Sequence, residues 1–180
     1  MRKLISNFIK WQKIKLYSGN SVICPICNSE FSAFAPYLGR KNARCLRCES
    51  LERHRLLWKY LNEKTDIFLG DKKIKLLHFA PERMFYEIFS KYVNIEYYPC
   101  DLFPENYAYN DIIVSKADIT NIPFEDNYFD VILCNHILEH IPDDRKAMSE
   151  LFRVMKIGAW GIFQVPVDYI HWIFHFHHKG

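Results

Sequence analysis

Apolar residues recur along this chain at two spacings, and the change between them divides it. Near the start, Leu4, Ile5, Phe8, Ile9 and Trp11 alternate with Arg2, Lys3, Lys10, Lys13 and Lys15, so residues 1–20 form a basic amphipathic segment of helical period. A second helical stretch begins at Ser50. There Leu51, His54 or Leu57, Trp58 and Leu61 share one face, and the stretch ends in a linker, Thr65 to Lys73, that holds the turn pair Gly70-Asp71. From residue 74 the two periods alternate. Ile74 to Phe79 is a short apolar run, Phe85, Ile88, Phe89 and Tyr92 follow at helical spacing, and Ile95 to Tyr98 is extended again. Further strands are predicted at Ile113 to Ile119, Phe129 to Cys134 and Ile162 to Val165, with a helix over Asp143 to Met155 whose Ala147, Leu151 and Val154 face inward. Strands alternating with helices predict an α/β fold over 74–165: a doubly wound, mostly parallel sheet of five strands.

Residues 21–49 follow neither period and carry a different chemistry. Cys24-Pro-Ile-Cys27 and Cys45-Leu-Arg-Cys48 are two C-x-x-C pairs separated by seventeen residues, the spacing of a zinc ribbon. Each pair aims two thiolates at one point, so Cys24, Cys27, Cys45 and Cys48 are candidate ligands of a structural Zn²⁺, closed to catalysis because no coordination position is left open. Two disulfides or four spare thiols are the alternative, and the expected compartment favours the metal. No apolar stretch approaches the roughly 18 residues of a membrane span. The basic start is not followed by the apolar core and cleavage site of a secretory signal. A cytoplasmic, reducing location is therefore expected, where such thiols serve a metal.

Composition adds one further distinction. A chain of 180 residues, 49% hydrophobic and 25% charged, is neither disordered nor fibrous and suits one domain with a small appendage. Its charge is uneven: residues 1–60 hold twelve Lys/Arg against three acids, and the remainder twelve against eighteen. Arg40, Lys41, Arg44, Arg47, Arg53 and Arg55 make nucleic acid one candidate partner of the first part, a solvated basic surface being the other reading.

In a doubly wound sheet, ligands sit beyond the carboxyl ends of the strands, where the strand order reverses. The residues at those ends are His78-Phe79-Ala80-Pro81-Glu82, Asp101-Leu102, Asp118-Ile119 and Asn135-His136. A carboxylate after the second strand can accept both hydroxyls of a ribose. An acidic side chain with the next backbone N–H after the third can hold an adenine edge. Taken singly, either carboxylate would serve equally as a turn or helix cap.

Lys75 to Val165 resembles the class I S-adenosylmethionine (SAM)-dependent methyltransferases of the broad type 11 group. The likeness is greatest over Asp118-Ile-Thr-Asn-Ile-Pro-Phe-Glu-Asp-Asn-Tyr-Phe-Asp-Val-Ile-Leu-Cys-Asn-His-Ile-Leu-Glu-His140 and continues through Glu150-Leu-Phe-Arg-Val-Met-Lys156. A subset of that family carries a C-x-x-C pair of knuckles and a Ser-Leu-Glu-Arg-His-Arg element, matched here by Ser50 to Arg55. The resemblance implies a Rossmann-like fold and methyl transfer from SAM to an acceptor it does not identify. It also implies that His78, Ala80, Pro81 and Glu82 face the methionine part of SAM, Asp101 and Leu102 the ribose, Asp118 and Ile119 the adenine, and Asn135 and His136 the sulfonium and acceptor side. The chain departs from the family at the first strand, where an acidic residue and a Gly-x-Gly turn are usual: here stand His78 and Ala80-Pro81-Glu82, with Glu82 as a replacement carboxylate. No catalytic residue is assigned, because in-line methyl transfer works mainly by positioning. His136, Glu139 and His140 stand where a base would, or simply begin a helix.

The family usually adds two more strands after the fifth, and the fifteen residues Pro166 to Gly180 are too few for them. An incomplete sheet is expected, one that is marginally stable or associates through its open edge. The tail, 166–180, also holds His171, His175, His177 and His178, a second metal candidate. The rival to an enzyme is a zinc-bearing binding protein, of nucleic acid or protein, built on a degenerate methyltransferase fold.

Overall fold

The computed structural model describes residues 2–110 and 112–166, so the tail histidines lie outside the described residues. The chain forms two compact units, Met1–Lys72 with Arg83–Asn94, and Lys73–Glu82 with Ile95–Gly180.

The first unit contains helix α1 (Arg2–Leu16), hairpins β1/β2 (Val22–Ile23 and Glu30–Phe31) and β3/β4 (Ala35–Tyr37 and Arg40–Arg44), helix α2 (Glu52–Lys64) and helix α3 (Arg83–Phe89). Strands this short have little ladder of their own. They are held by a small core of Cys24, Phe31, Ala35, Cys45 and Leu46, against which Ile14 and Tyr17 at the end of α1 pack. α2 starts where the Leu51 N–H donates to His54 Nδ1 at 3.1 Å, and it buries His54, Leu57 and Leu61, spaced i, i+3, i+7 as the sequence period predicts. Phe85 of α3 meets the His54 ring edge-on, and Phe68 lies among Trp58, Phe89 and Tyr92.

The second unit is a five-stranded parallel sheet of order β7-β6-β5-β8-β9, formed by β5 (Ile74–Phe79), β6 (Ile95–Asp101), β7 (Ser115–Lys116), β8 (Phe129–Asn135) and β9 (Met155–Gln164). The chain builds outward from β5 through β6 to β7, then returns to the other side of β5 for β8 and β9. The reversal falls between β5 and β8, and this is the Rossmann-like arrangement of the expected fold class. β5 and β8 are the central strands, and their near-continuous apolar runs follow from burial on both faces. Helix α4 (Asp144–Val154) packs Ala147, Leu151 and Val154 into the core with Leu77, Ile132 and Phe129. Asp143, expected as the first helical residue, is its N-cap and accepts the Lys146 N–H at 3.0 Å.

Two strands differ from expectation. The third is reduced to Ser115–Lys116, because the Asp118 carboxylate takes the Thr120 N–H at 2.8 Å and turns the backbone out of the ladder toward Asn121. The fifth starts seven residues early, at Met155 instead of Ile162. It pairs Met155 with Phe129 and Trp160 with Val131, and the extra residues between form an irregularity that includes Gly158 at φ +79°. Among the described residues, β9 has a sheet neighbour on one side only, and no helix is long and apolar enough to cross a membrane.

Candidate metal centre and candidate cofactor site

Cys24, Cys27, Cys45 and Cys48 converge, with all four Sγ atoms within 4.8 Å of one another. Two repeats of one backbone device achieve this. In the first knuckle the Cys24 carbonyl accepts the Asn28 N–H (2.8 Å) and the Cys24 N–H donates to Ser29 (3.0 Å); in the second the Cys45 carbonyl accepts the Glu49 N–H (3.0 Å) and the Cys45 N–H donates to Ser50 (2.9 Å). The closing residues Asn28 and Glu49 both turn through positive φ, at 54° and 65°. A tetrahedron of Zn–S bonds of about 2.3 Å has S···S edges of about 3.8 Å. The Cys24–Cys48 and Cys27–Cys45 separations are both 3.6 Å, so the donor set fits a tetrahedral thiophilic ion. Ser50 Oγ accepts from Cys48 Sγ at 3.2 Å and lies 3.4 Å from Cys24 Sγ, where either atom can donate. Arg55 donates to the carbonyls of Ala43 (3.0 Å) and Ser50 (2.9 Å) and stacks over Phe34. The Ser50 to Arg55 element thereby fastens α2 to the second knuckle. C-x-x-C spacing signalled the thiols, but no spacing rule signals a serine beside them.

At the other unit's strand ends, Phe79, Ala80, Asp101, Leu102, Phe103, Ala117, Asp118, Ile119, His136, Ile137, His140 and Ile141 surround a cleft of about 330 Å³. Its size falls in the range of small-molecule sites. Of the residues expected from sequence, Ala80, Asp101, Leu102, Asp118, Ile119 and His136 line it, while His78, Pro81, Glu82 and Asn135 do not. His78 is wholly buried, with Nδ1 2.9 Å from the Tyr97 hydroxyl and Nε2 3.1 Å from Glu82 Oε2, so it anchors the Glu82 carboxylate.

Backbone geometry sharpens the cleft. Ala80 and His136, on the loops after β5 and β8, have φ of 47° and 56°. Left-handed conformations of this kind cost a non-glycine residue about 1–2 kcal/mol and persist where neighbouring structure imposes them. Here the ladder does so, because the Ala80 N–H donates to the Cys100 carbonyl (2.9 Å) and the His136 N–H to that of Gln164 (2.7 Å). Asp101 is fixed by the Phe103 N–H and the Tyr107 hydroxyl, both at 2.8 Å. Asp118 accepts the Thr120 N–H and hydroxyl, which hold its carboxyl below the usual range. Glu139 Oε1 stands 3.6 Å from His136 Nδ1 and 4.0 Å from His140 Nε2.

A polar ligand fits this end of β8. Asn135 is only 4% exposed, yet neither its Oδ1 nor its Nδ2 has a hydrogen-bond partner among the described residues, and buried His136 Nε2 is likewise unmatched. Such atoms cost free energy until something pairs with them. Residues that sequence reasoning did not single out complete the site: Phe103, Ile137 and Ile141 give it apolar walls, and Arg153 clamps the loop after β7. The Arg153 guanidinium reaches the carbonyls of Ile122 (2.9 Å) and Phe124 (2.8 Å), Asp126 (2.8 Å) and Glu150 (2.7 and 2.8 Å), and Glu150 accepts the Ile122 N–H at 2.9 Å. The i, i+3 spacing of Glu150 and Arg153 on a helix was the available signal.

A Rossmann-like sheet with its cleft at the strand-order reversal defines a class of nucleotide-type α/β folds, and comparison with known proteins shows what this chain is similar to within it. Residues 81–163 match the family described as "Methyltransferase domain". The 2-phytyl-1,4-naphthoquinone methyltransferase of Nostoc punctiforme is 41% identical over 44 residues, 24% of this chain and 19% of that protein. The ubiquinone/menaquinone biosynthesis C-methyltransferase UbiE of Vibrio campbellii is 34% identical over 59 residues, 33% of this chain and 23% of that one. The matched stretches thus span about a fifth of these relatives' length. Among solved structures, a SAM-dependent methyltransferase from Archaeoglobus fulgidus is 20% identical with a TM-score of 0.47, covering 62% of this chain and 52% of that chain. The Bacillus YcgJ protein is also 20% identical, with a TM-score of 0.46, covering 62% and 50%.

Proposed function

We propose that this chain transfers a methyl group from SAM bound in the cleft after β5, β6, β7 and β8, and that its four clustered cysteines hold one structural Zn²⁺ in a reducing, cytoplasmic setting. What supports the methyl-transfer reading most is the convergence of Ala80, Asp101, Asp118, Ile119 and His136 on one cleft, from the ends of four different strands or their loops. Asp101, already oriented by two donors, accepts the ribose hydroxyls. Asp118 and the Ile119 backbone meet the adenine edge, and His136, which lines the cleft, supplies an unmatched ring nitrogen on the acceptor side. Bound there, SAM provides an electrophilic methyl on a sulfonium. The protein's own task is to align the acceptor and, where the acceptor must lose a proton, to receive it on His136, with Glu139 beside the ring to stabilise the imidazolium.

Leu102, Phe103, Ile137 and Ile141 make the cleft's walls apolar, which suits a ring acceptor of low polarity. Since the relatives named above are quinone methyltransferases, a reduced 1,4-naphthoquinone is the first acceptor to test. The experiment is transfer of labelled methyl from SAM to that quinol by the full chain and by a His136→Ala variant. Label in the quinol with wild type and a large loss in the variant support the reading. A second reading, a SAM-binding protein without turnover, is favoured by Ala80 standing in a left-handed turn where the family uses glycine. Saturable SAM binding with no label in any acceptor tried would select it.

A further inference from the structure

Most of the apolar side chains described on helix α1 face solvent and not the unit the helix belongs to. Among the described side chains, Lys10 and Ile14 of the helix and Tyr17 just after it, spaced i, i+4, i+7, are the less exposed. Ile14 and Tyr17 pack on the thiolate module, Lys10 pairs with Glu49 at 2.8 Å, and the Tyr17 carbonyl accepts the Ser32 N–H at 2.8 Å. At about 3.6 residues per turn, Phe8, Ile9, Trp11 and Leu16 fall on the opposite half of the helix, and they are 47% to 80% exposed. Solvent-facing apolar residues in such a run mark an interaction surface. Phe8 and Trp11 stack on each other, and the Lys15 ammonium sits 3.8 Å over the Trp11 ring.

Charge selects the occupant. Residues 2–17 hold five cations and no acid, so a second copy of the helix would set like charges against one another. Nucleic acid would satisfy the lysines and leave Phe8, Ile9 and Leu16 in water. An anionic lipid surface accepts both sets, apolar side chains at the acyl boundary and ammonium groups among the headgroups. The geometry points to α1 as an in-plane anchor that docks the chain on anionic membranes, with Phe8, Ile9, Trp11 and Leu16 inserted and Lys13 and Lys15 on the headgroups. This inference goes beyond the methyltransferase reading and does not depend on it.

The test is co-sedimentation of the full chain with vesicles of phosphatidylcholine containing about one-third phosphatidylserine, followed also by tryptophan fluorescence. Binding that weakens with salt is expected, with little binding to phosphatidylcholine alone. At about a fivefold factor for each cation, Lys13→Gln with Lys15→Gln should lower affinity about thirtyfold. Phe8→Ser with Leu16→Ser should abolish binding. These side chains are exposed, and an unchanged circular dichroism spectrum keeps the comparison fair. Trp11→Phe should keep binding while losing most of the blue shift. Absence of sedimentation at low salt, equal binding to uncharged vesicles, RNA retardation in place of vesicle binding, or a dimer that covers Phe8 and Leu16 would each overturn the inference.

Discussion

Replacing Arg153 by methionine would keep the stem of the side chain and remove the clamp on the loop that carries Asp118 and Ile119. Five guanidinium hydrogen bonds are lost, two to backbone carbonyls and three to carboxylates. Arg153 is 31% exposed and Glu150 18%, so solvent screens part of each ion pair. Charge-assisted hydrogen bonds contribute roughly 1.5–3 kcal/mol each when taken singly and much less than their sum when they share one donor group, which gives an expected loss of about 2–4 kcal/mol. Hydrogen exchange at neutral pH is the assay. Amides of residues 117–127 should exchange at least about tenfold faster, since about 1.4 kcal/mol of opening free energy corresponds to that factor, while β5 amides change less. Acid gives an independent check. Arg153 holds the Glu150 carboxyl down to about 2, so its contribution is complete above the ordinary carboxylate value and fades as pH falls toward 2. Wild type and variant should therefore converge in loop protection over that interval. If exchange in 117–127 and SAM affinity both match wild type at neutral pH, Arg153 is not what holds the loop.

Ala80→Gly removes a left-handed alanine at φ 47° at the cost of a more flexible unfolded chain. A small net gain of about 0.5 kcal/mol is expected, seen as a higher melting temperature with SAM affinity unchanged or improved, and a lower melting temperature would contradict the strain argument. Freshly purified, reduced protein should contain one zinc per chain by elemental analysis. Chelation should release it, with loss of exchange protection across residues 20–50 but little change in β5 and β8; protein with no metal, or protection unaltered by the chelator, would remove the metal centre from the account.

What the sequence made legible depended on whether one local rule governed each position. β5 and β8 were readable because strands buried on both faces must be apolar throughout, and the four cysteines because two knuckles need a fixed spacing. Burial of His54, Leu57 and Leu61 followed the helical period. The third strand was overestimated because one side chain, Asp118, outcompetes the ladder for the Thr120 N–H. The fifth was underestimated because the irregularity around Gly158 breaks the period-two pattern. At the site, Asp101, Asp118 and His136 were legible as residues at strand ends. His78 was not legible as a buried anchor, since its partners Tyr97 and Glu82 come from the next strand and the following loop. The Arg153 clamp joins residues 27 to 31 positions apart, beyond the reach of periodicity.

Isothermal titration of SAM and of S-adenosylhomocysteine into wild-type protein and an Asp101→Ala variant is the most direct test of the central claim, that the cleft after β5, β6, β7 and β8 holds SAM. Saturable binding of one molecule per chain is expected. A loss of at least about tenfold is expected in the variant, which lacks a charge-assisted acceptor worth roughly 1.5–3 kcal/mol. No saturable heat with wild type, or equal affinity in the two proteins, would contradict it.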